Sequence, residues 1–378
     1  MANAIEHDYV ERLFLPLSEV TFEKKQYIYN PYFPIKKIGL SAGDPGIGKT
    51  KFILLVCALI TQGKDLCGIP CEKPGSVLIF SREDDSSDIR KTVEACGGDS
   101  SKIYVVSESD DALDLLDKNE LKFSSPIIEM AVARFQPSFV LFDPLQAYIG
   151  RRINMNAANE TSGALAPLLK IAQKYDCHIH IISHNRKDKQ NGLQSQVLGS
   201  VNLAGQARSI LSIVRDPTKD ENIVIHTKSN NRKGLSIRYK IKPIPTDPDF
   251  ATVELIGREK YSERDYREAE QSRLRQKLDE MINDSSPVVA TVLQLANDNP
   301  GGVKIGRADL NDIIESQTGE VANYPLSTIA KEYGHYLGSK HGIAIVPKDK
   351  QRLKAFCYNG ETITPSKIED RSLYIIKK

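Results

Sequence analysis

Eight consecutive residues, Gly43-Asp44-Pro45-Gly46-Ile47-Gly48-Lys49-Thr50, set three glycines, a lysine and a hydroxyl at the spacing G-x-x-x-x-G-K-T. An apolar strand-like run, Ile38–Ser41, precedes them and a helical run, Lys51–Thr61, follows. Strand, glycine loop and helix N-terminus form the context in which this spacing cradles phosphates. Glycines let backbone N–H groups wrap the anion, and the helix start adds positive potential. In such a cradle Lys49 reaches the β- and γ-phosphates, while the Thr50 hydroxyl ligates Mg2+.

A magnesium-side carboxylate is needed at the end of a buried strand, and Phe139-Val-Leu-Phe-Asp143 supplies one: the aspartate closes a wholly apolar strand-like run. Hydrolysis also needs a carboxylate to polarise the attacking water. The strand-like run Val77–Phe80 is followed by Ser81-Arg-Glu-Asp-Asp85. Open α/β sheets bind ligands at the carboxyl ends of their strands, so Glu83 is the general-base candidate. Asp84 and Asp85 read instead as caps of the helix that follows.

The elements that position these groups repeat as strand, turn and helix from residue 37 to about residue 256. Besides those named, strand-like runs occur at His178–Ile182, Ser209–Val214 and Ile223–Thr227, with Ser236–Ile241 and Thr252–Ile256 as an antiparallel edge. Apolar strands alternating with helices predict an α/β core around a mainly parallel sheet. Residues 1–36 read as an N-terminal arm and 37–258 as the phosphate-binding domain. The charged stretch Ser262–Asn283 reads as a helical linker, or equally as a solvated surface helix, over 259–284. Residues 285–378 give three helices and then strands, the order of a small α+β winged-helix-like domain.

Composition excludes other classes. The 378 residues are 40% hydrophobic and 26% charged with a formal net charge of +2, which predicts no membrane span and no global attraction to polyanions. The N-terminus lacks a secretory pattern, and six scattered cysteines suit reduced thiols, so a cytoplasmic location is expected. Cys67 and Cys71 lack a second pair at zinc-ligand spacing.

Five segments in order, GDPGIGKT, VLIFSREDD, FVLFDPLQAYIG, His180-Ile-Ile-Ser-His-Asn-Arg-Lys187 and Val197–Arg208, resemble RecA-like ATPases of the hexameric helicase branch. The plasmid RepA type is the nearer likeness and the DnaB type a more distant one. The resemblance covers about residues 36–245 and implies ATP and Mg2+ as cofactors. It implies Glu83 as catalytic base and His184 as sensor of the γ-phosphate; His178 and His180, alternating with it along one strand, read as packing or hydrogen-bonded histidines rather than metal ligands. It further implies a homo-oligomer, a hexameric ring, in which Arg208 reaches a neighbour's ATP. Lys228 and Arg232 are additional candidates for that role.

The same resemblance places single-stranded DNA against two loops, about residues 150–161 and 184–196. Arg151, Arg152, Arg186, Lys187 and Lys189 are the phosphate-contacting candidates there. From Lys331 to Lys378, ten Lys/Arg stand against five Asp/Glu with tyrosines interleaved. That suits either duplex DNA or a docking replication protein. The expectation is an ATP-dependent DNA helicase of a plasmid, phage or mobile element. Two alternatives are a RecA/RadA-like recombination or loading ATPase that does not unwind, and an ATP-gated DNA-binding initiator. No zinc-ribbon set for a primase precedes the loop.

Overall fold

In a computed structural model the chain divides into two compact units, Met1–Tyr266 and Arg267–Lys378. The structure describes residues 13–109, 111, 121–150, 153, 157–184, 193, 205–229, 232–245, 247–319, 321–346, 356–358, 361–363 and 372–377. Among them, no helix is long and apolar enough to cross a membrane.

The first unit is built on a nine-stranded sheet. Its strands are β1 (Lys37–Gly43), β2 (Val77–Ser81), β3 (Ile103–Val105), β4 (Phe139–Asp143), β5 (His178–His184), β6 (Ser209–Arg215), β7 (Asn222–Ser229), β8 (Ser236–Ile244) and β9 (Asp247–Glu259). Their order is β3-β2-β4-β5-β1-β6-β7-β8-β9. The run from β3 to β6 is parallel, and β7, β8 and β9 are antiparallel. This is a mainly parallel α/β sheet with an antiparallel edge, as the sequence predicted.

Two details differ from the expectation. Ile223–Thr227, read with the parallel strands, runs antiparallel to β6, because only the six residues 216–221 connect them. A parallel return needs a crossover of a dozen or more residues. The edge strand β3, Ile-Tyr-Val, has only three residues, too few to show a strand period.

Both sheet faces are covered, as an apolar parallel sheet requires. Along β4, Phe139 and Leu141 enter one core while Val140 and Phe142 enter the other. The first core holds α1 (Lys49–Gln62), which is buried from Phe52 to Thr61 and ends on Gly63 in the left-handed conformation at φ 65. Burying each such large apolar side chain contributes about 1.5–3 kcal/mol. The other main helices are α2 (Ser86–Ala95), α3 (Pro126–Phe135) and α4 (Ala158–Lys174).

The end of the arm is part of this core. Tyr29, Tyr32 and Phe33 are buried, and Phe33 packs edge-on against Phe139, His178 and His180. Those histidines form a buried chain: His178 Nδ1 lies 2.7 Å from the Pro34 carbonyl oxygen, His178 Nε2 3.3 Å from His180 Nδ1, and His180 Nε2 2.7 Å from Ser41 Oγ. Burial pushes the His178 pKa down to about 4 and holds His180 well below its usual value. Both are neutral packing residues, as read from the sequence.

Helix α5 (Glu263–Met281) spans the boundary between the units. The second unit packs α6 (Pro287–Asp298), α7 (Arg307–Thr318) and α8 (Gly334–His341) around Val288, Val292, Leu310, Ile314 and Leu337. The chain enters α8 through a wide π turn at Ile329–Tyr333. A small antiparallel sheet orders β10 (Val303–Gly306), β14 (Ser372–Lys377) and β11 (Ile343–Val346), with a separate ribbon of β12 (Phe356–Tyr358) and β13 (Glu361–Ile363). Asn311 ties this unit internally, donating to the Arg307 and Tyr324 carbonyls and accepting from Tyr324 N–H.

Candidate nucleotide site

Parallel register gathers the chemistry. Because β1, β5, β4 and β2 run the same way, their carboxyl ends share one edge of the sheet. Gly43 is the register partner of His184, and Ser81 of Asp143. Glu83 follows two residues after Ser81, so Gly43–Thr50, Glu83, Asp143 and His184 meet at that edge.

The loop Gly43–Thr50 turns through two left-handed glycines, Gly46 at φ 72 and Gly48 at φ 88. Gly48 has a second reason to lack a side chain: a Cβ there would lie 2.1 Å from Ile241 Cδ1. Lys49 is buried, and its Nζ donates to the Asp44 carbonyl at 3.0 Å. Burial lowers the Lys49 pKa, against the opposing pull of Asp143, Glu83 and Asp44. A bound triphosphate would supply the missing negative partner.

Thr50 Oγ1 donates to Asp143 Oδ2 at 2.6 Å, while the buried Asp143 Oδ1 has no hydrogen-bond partner. Burial raises the Asp143 pKa to about 6, opposed by the Thr50 hydrogen bond. A buried carboxylate with an unsatisfied oxygen beside a hydroxyl is a donor set suited to Mg2+. Thr50 and Asp143 are therefore the residues that would hold it, and the ion would neutralise charge on the phosphates.

His184 bridges base and lysine. Its Nδ1 lies 3.2 Å from Lys49 Nζ and its Nε2 3.0 Å from Glu83 Oε1. Since the lysine can only donate, Nδ1 accepts, and the neutral Nε2–H tautomer then donates to Glu83. The Glu83 backbone is set by its N–H to Ser81 Oγ at 3.3 Å.

Asp85 occupies the N-cap position of α2 but its side chain makes no capping hydrogen bond, and Asp84 does not cap the helix either. Asp84 Oδ2 lies 3.8 Å from Lys51 Nζ, which also donates to Thr92 Oγ1 at 3.0 Å. The half-buried Asp84 is pushed upward in pKa by that burial.

Arg208 is not brought to its own chain's loop. It is exposed at the amino end of β6, and its N–H donates to the Ile38 carbonyl at 2.9 Å. Five residues of parallel strand separate that level from Gly43, roughly 16 Å at 3.3 Å per residue. Lys228 is near, on the partner position of Ile210, with Nζ donating to the Gly205 carbonyl at 3.2 Å. Burial first, and then the Arg208 charge, lower its pKa. Arg208 also lines a cavity of about 390 Å³ with Lys24, Lys37, Tyr27 and Ser229. Arg232 is exposed. Arg151, Arg152, Arg186, Lys187 and Lys189 lie outside the described residues.

Two contacts on the loop had no sequence signal. Asn222 Nδ2 donates to the Ile47 carbonyl at 3.1 Å, and Tyr239 Oη to the Gly48 carbonyl at 3.3 Å, from 175 and 191 positions away.

Residues 11–190 match the family described as AAA domain. The protein named DNA repair protein RadA of Streptococcus pneumoniae (strain ATCC BAA-255 / R6) is 24% identical over 151 residues, 39% of this chain and 30% of that protein. The RadA of Bacillus subtilis (strain 168) is 26% identical over 151 residues, covering 39% and 28%. This chain thus spans under a third of the length of these curated relatives. One solved structure, described as an ATPase domain, aligns at a TM-score of 0.43 and 16% identity, over 68% of this chain and 98% of that one.

Proposed function

We propose, from the match of residues 11–190 to the AAA domain family, that the chain is a RecA-like, ATP-driven DNA helicase. It acts as a homo-oligomeric ring, a hexamer, in the cytoplasm, replicating a plasmid, phage or mobile element. The observation that carries the reading is the chain Glu83–His184–Lys49 beside the Thr50–Asp143 pair.

In this mechanism Lys49 and the Gly43–Thr50 backbone hold the phosphates, and Thr50 and Asp143 would hold Mg2+, which would supply positive charge to the phosphates. Glu83 accepts a proton from the attacking water. His184, in contact with both Lys49 and Glu83, links the γ-phosphate position to the base. The following loop, with Arg186, Lys187 and Lys189, then grips single-stranded DNA together with Arg151 and Arg152. Arg208 completes the site of the adjacent subunit, because its own lies too far away, and a transferring phosphoryl group gains several orders of magnitude in rate from such a cation. Residues 285–378 serve as a winged-helix-like module for duplex DNA or a replication protein.

The test is ATP hydrolysis with and without single-stranded DNA, followed by strand separation on a forked duplex. Hydrolysis without stimulation and without separation would refute the helicase reading. A second reading, a recombination or loading ATPase that does not unwind, is favoured by the two relatives named for DNA repair. Filaments on DNA in electron micrographs, in place of closed rings, would select it.

A further inference from the structure

A phosphate cradle works through its backbone N–H groups, so whatever orients those peptide planes controls binding. In a planar trans peptide the N–H of one residue points opposite to the C=O of the residue before it. Anchoring the Ile47 carbonyl therefore aims the Gly48 N–H, and anchoring the Gly48 carbonyl aims the Lys49 N–H.

Both carbonyls are anchored from outside the loop. Asn222 Nδ2 donates to Ile47 O at 3.1 Å, and the Tyr239 hydroxyl donates to Gly48 O at 3.3 Å. The two donors are themselves register partners on β7 and β8, so they form one unit of the sheet. Tyr239 is fully buried with its ring 5.0 Å from that of Phe52, and Asn222 is 4% exposed. Gly48 O also accepts from the Phe52 N–H at 3.1 Å, the first turn of α1, which keeps that carbonyl pointing away from the phosphates.

We propose that Asn222 and Tyr239 are positioning residues that preset the Gly48 and Lys49 N–H groups for the phosphates. The proposal rests on the reading of Gly43–Thr50 as a nucleotide site. It assigns a binding role to the antiparallel end of the sheet, which supplies no group of the catalytic chain. The loop would otherwise pay the entropy of ordering these two planes when the nucleotide arrives. Loss of one anchor should raise the ATP KM and leave kcat in place, because the cradle holds ground state and transition state alike.

The experiment is calorimetry of the full chain with MgADP, together with steady-state ATP hydrolysis, for wild type, Tyr239→Phe and Asn222→Leu. Each variant is expected to bind MgADP about three- to tenfold more weakly, the range set by one hydrogen bond. KM for ATP should rise by the same factor with kcat within about twofold of wild type. If Asn222→Leu fails to fold, Tyr239→Phe decides alone, since it removes a single oxygen and keeps the ring on Phe52. Wild-type affinity in the folded variants, or a loss confined to kcat, overturns the proposal. Absence of MgADP binding by the wild type instead overturns the nucleotide-site reading beneath it.

Discussion

Gly43 and His184 are register partners on adjacent parallel strands, and that pairing sets His184 Nδ1 3.2 Å from Lys49 Nζ. The strand carrying the phosphate loop thus fixes the histidine that contacts both its lysine and the base. Backbone register holds the Glu83–His184–Lys49 contacts together.

Removing the base without its shape separates binding from chemistry. Glu83→Gln keeps an acceptor for the His184 Nε2–H and loses the carboxylate. ATP hydrolysis should fall by a factor on the order of 10² to 10⁴, the usual worth of a general base. MgADP affinity should stay near wild type in calorimetry. Substantial hydrolysis by this variant would remove Glu83 from the mechanism.

Lys49→Ala addresses a residue held against its own desolvation. Hydrolysis should drop at least about a hundredfold with loss of the cation at the developing charge. Thermal stability without nucleotide should hold or rise, because a buried ammonium short of counter-charge costs free energy. A large fall in melting temperature would mean that Lys49 is chiefly structural.

Much of this site was legible in the chain. Gly43–Thr50 is contiguous, Asp143 ends an apolar strand and Glu83 follows one by two residues, so local pattern plus the carboxyl-end rule picked them out, whereas His184 was picked out by the family resemblance. Asn222 and Tyr239 were not legible, since their role comes from two antiparallel strands folding back over the loop, and a lone Asn or Tyr carries no local mark. The reversal at β7 had a signal in its six-residue connection. Asp84 misled because three acids before a helix suit capping, whereas Lys51, on the first turn of α1, draws it aside.

The buried histidines predict an acid-sensitive fold. His178 and His226 are pushed down to about 4 from 6.5 by burial, and burial also holds His180 well below its usual value. The unfolded chain therefore takes up protons at a higher pH than the folded one. Their contribution is intact above about pH 6.5 and is lost as pH falls toward 4, on the order of 3 kcal/mol for His178 alone. Urea midpoints at pH 7 and pH 5 should differ, and His178→Phe, if folded, should show a smaller difference. Equal midpoints in the wild type would exclude these groups as the acid trigger.

The distance of Arg208 from its own loop makes a complementation test decisive. Arg208→Ala should bind MgADP normally yet lose hydrolysis, as should any subunit lacking a neighbour's cation. Lys49→Ala is also inactive, but for a reason confined to its own loop. In a ring with head-to-tail contacts, each site takes Lys49 from one subunit and Arg208 from the next. Random mixing of equal amounts of the two variants then leaves about a quarter of sites with both groups intact. ATP hydrolysis should return on mixing to about that fraction of wild type, provided subunits exchange. If Arg208 served its own chain's site, no mixture would contain an intact one and the mixture would stay inactive.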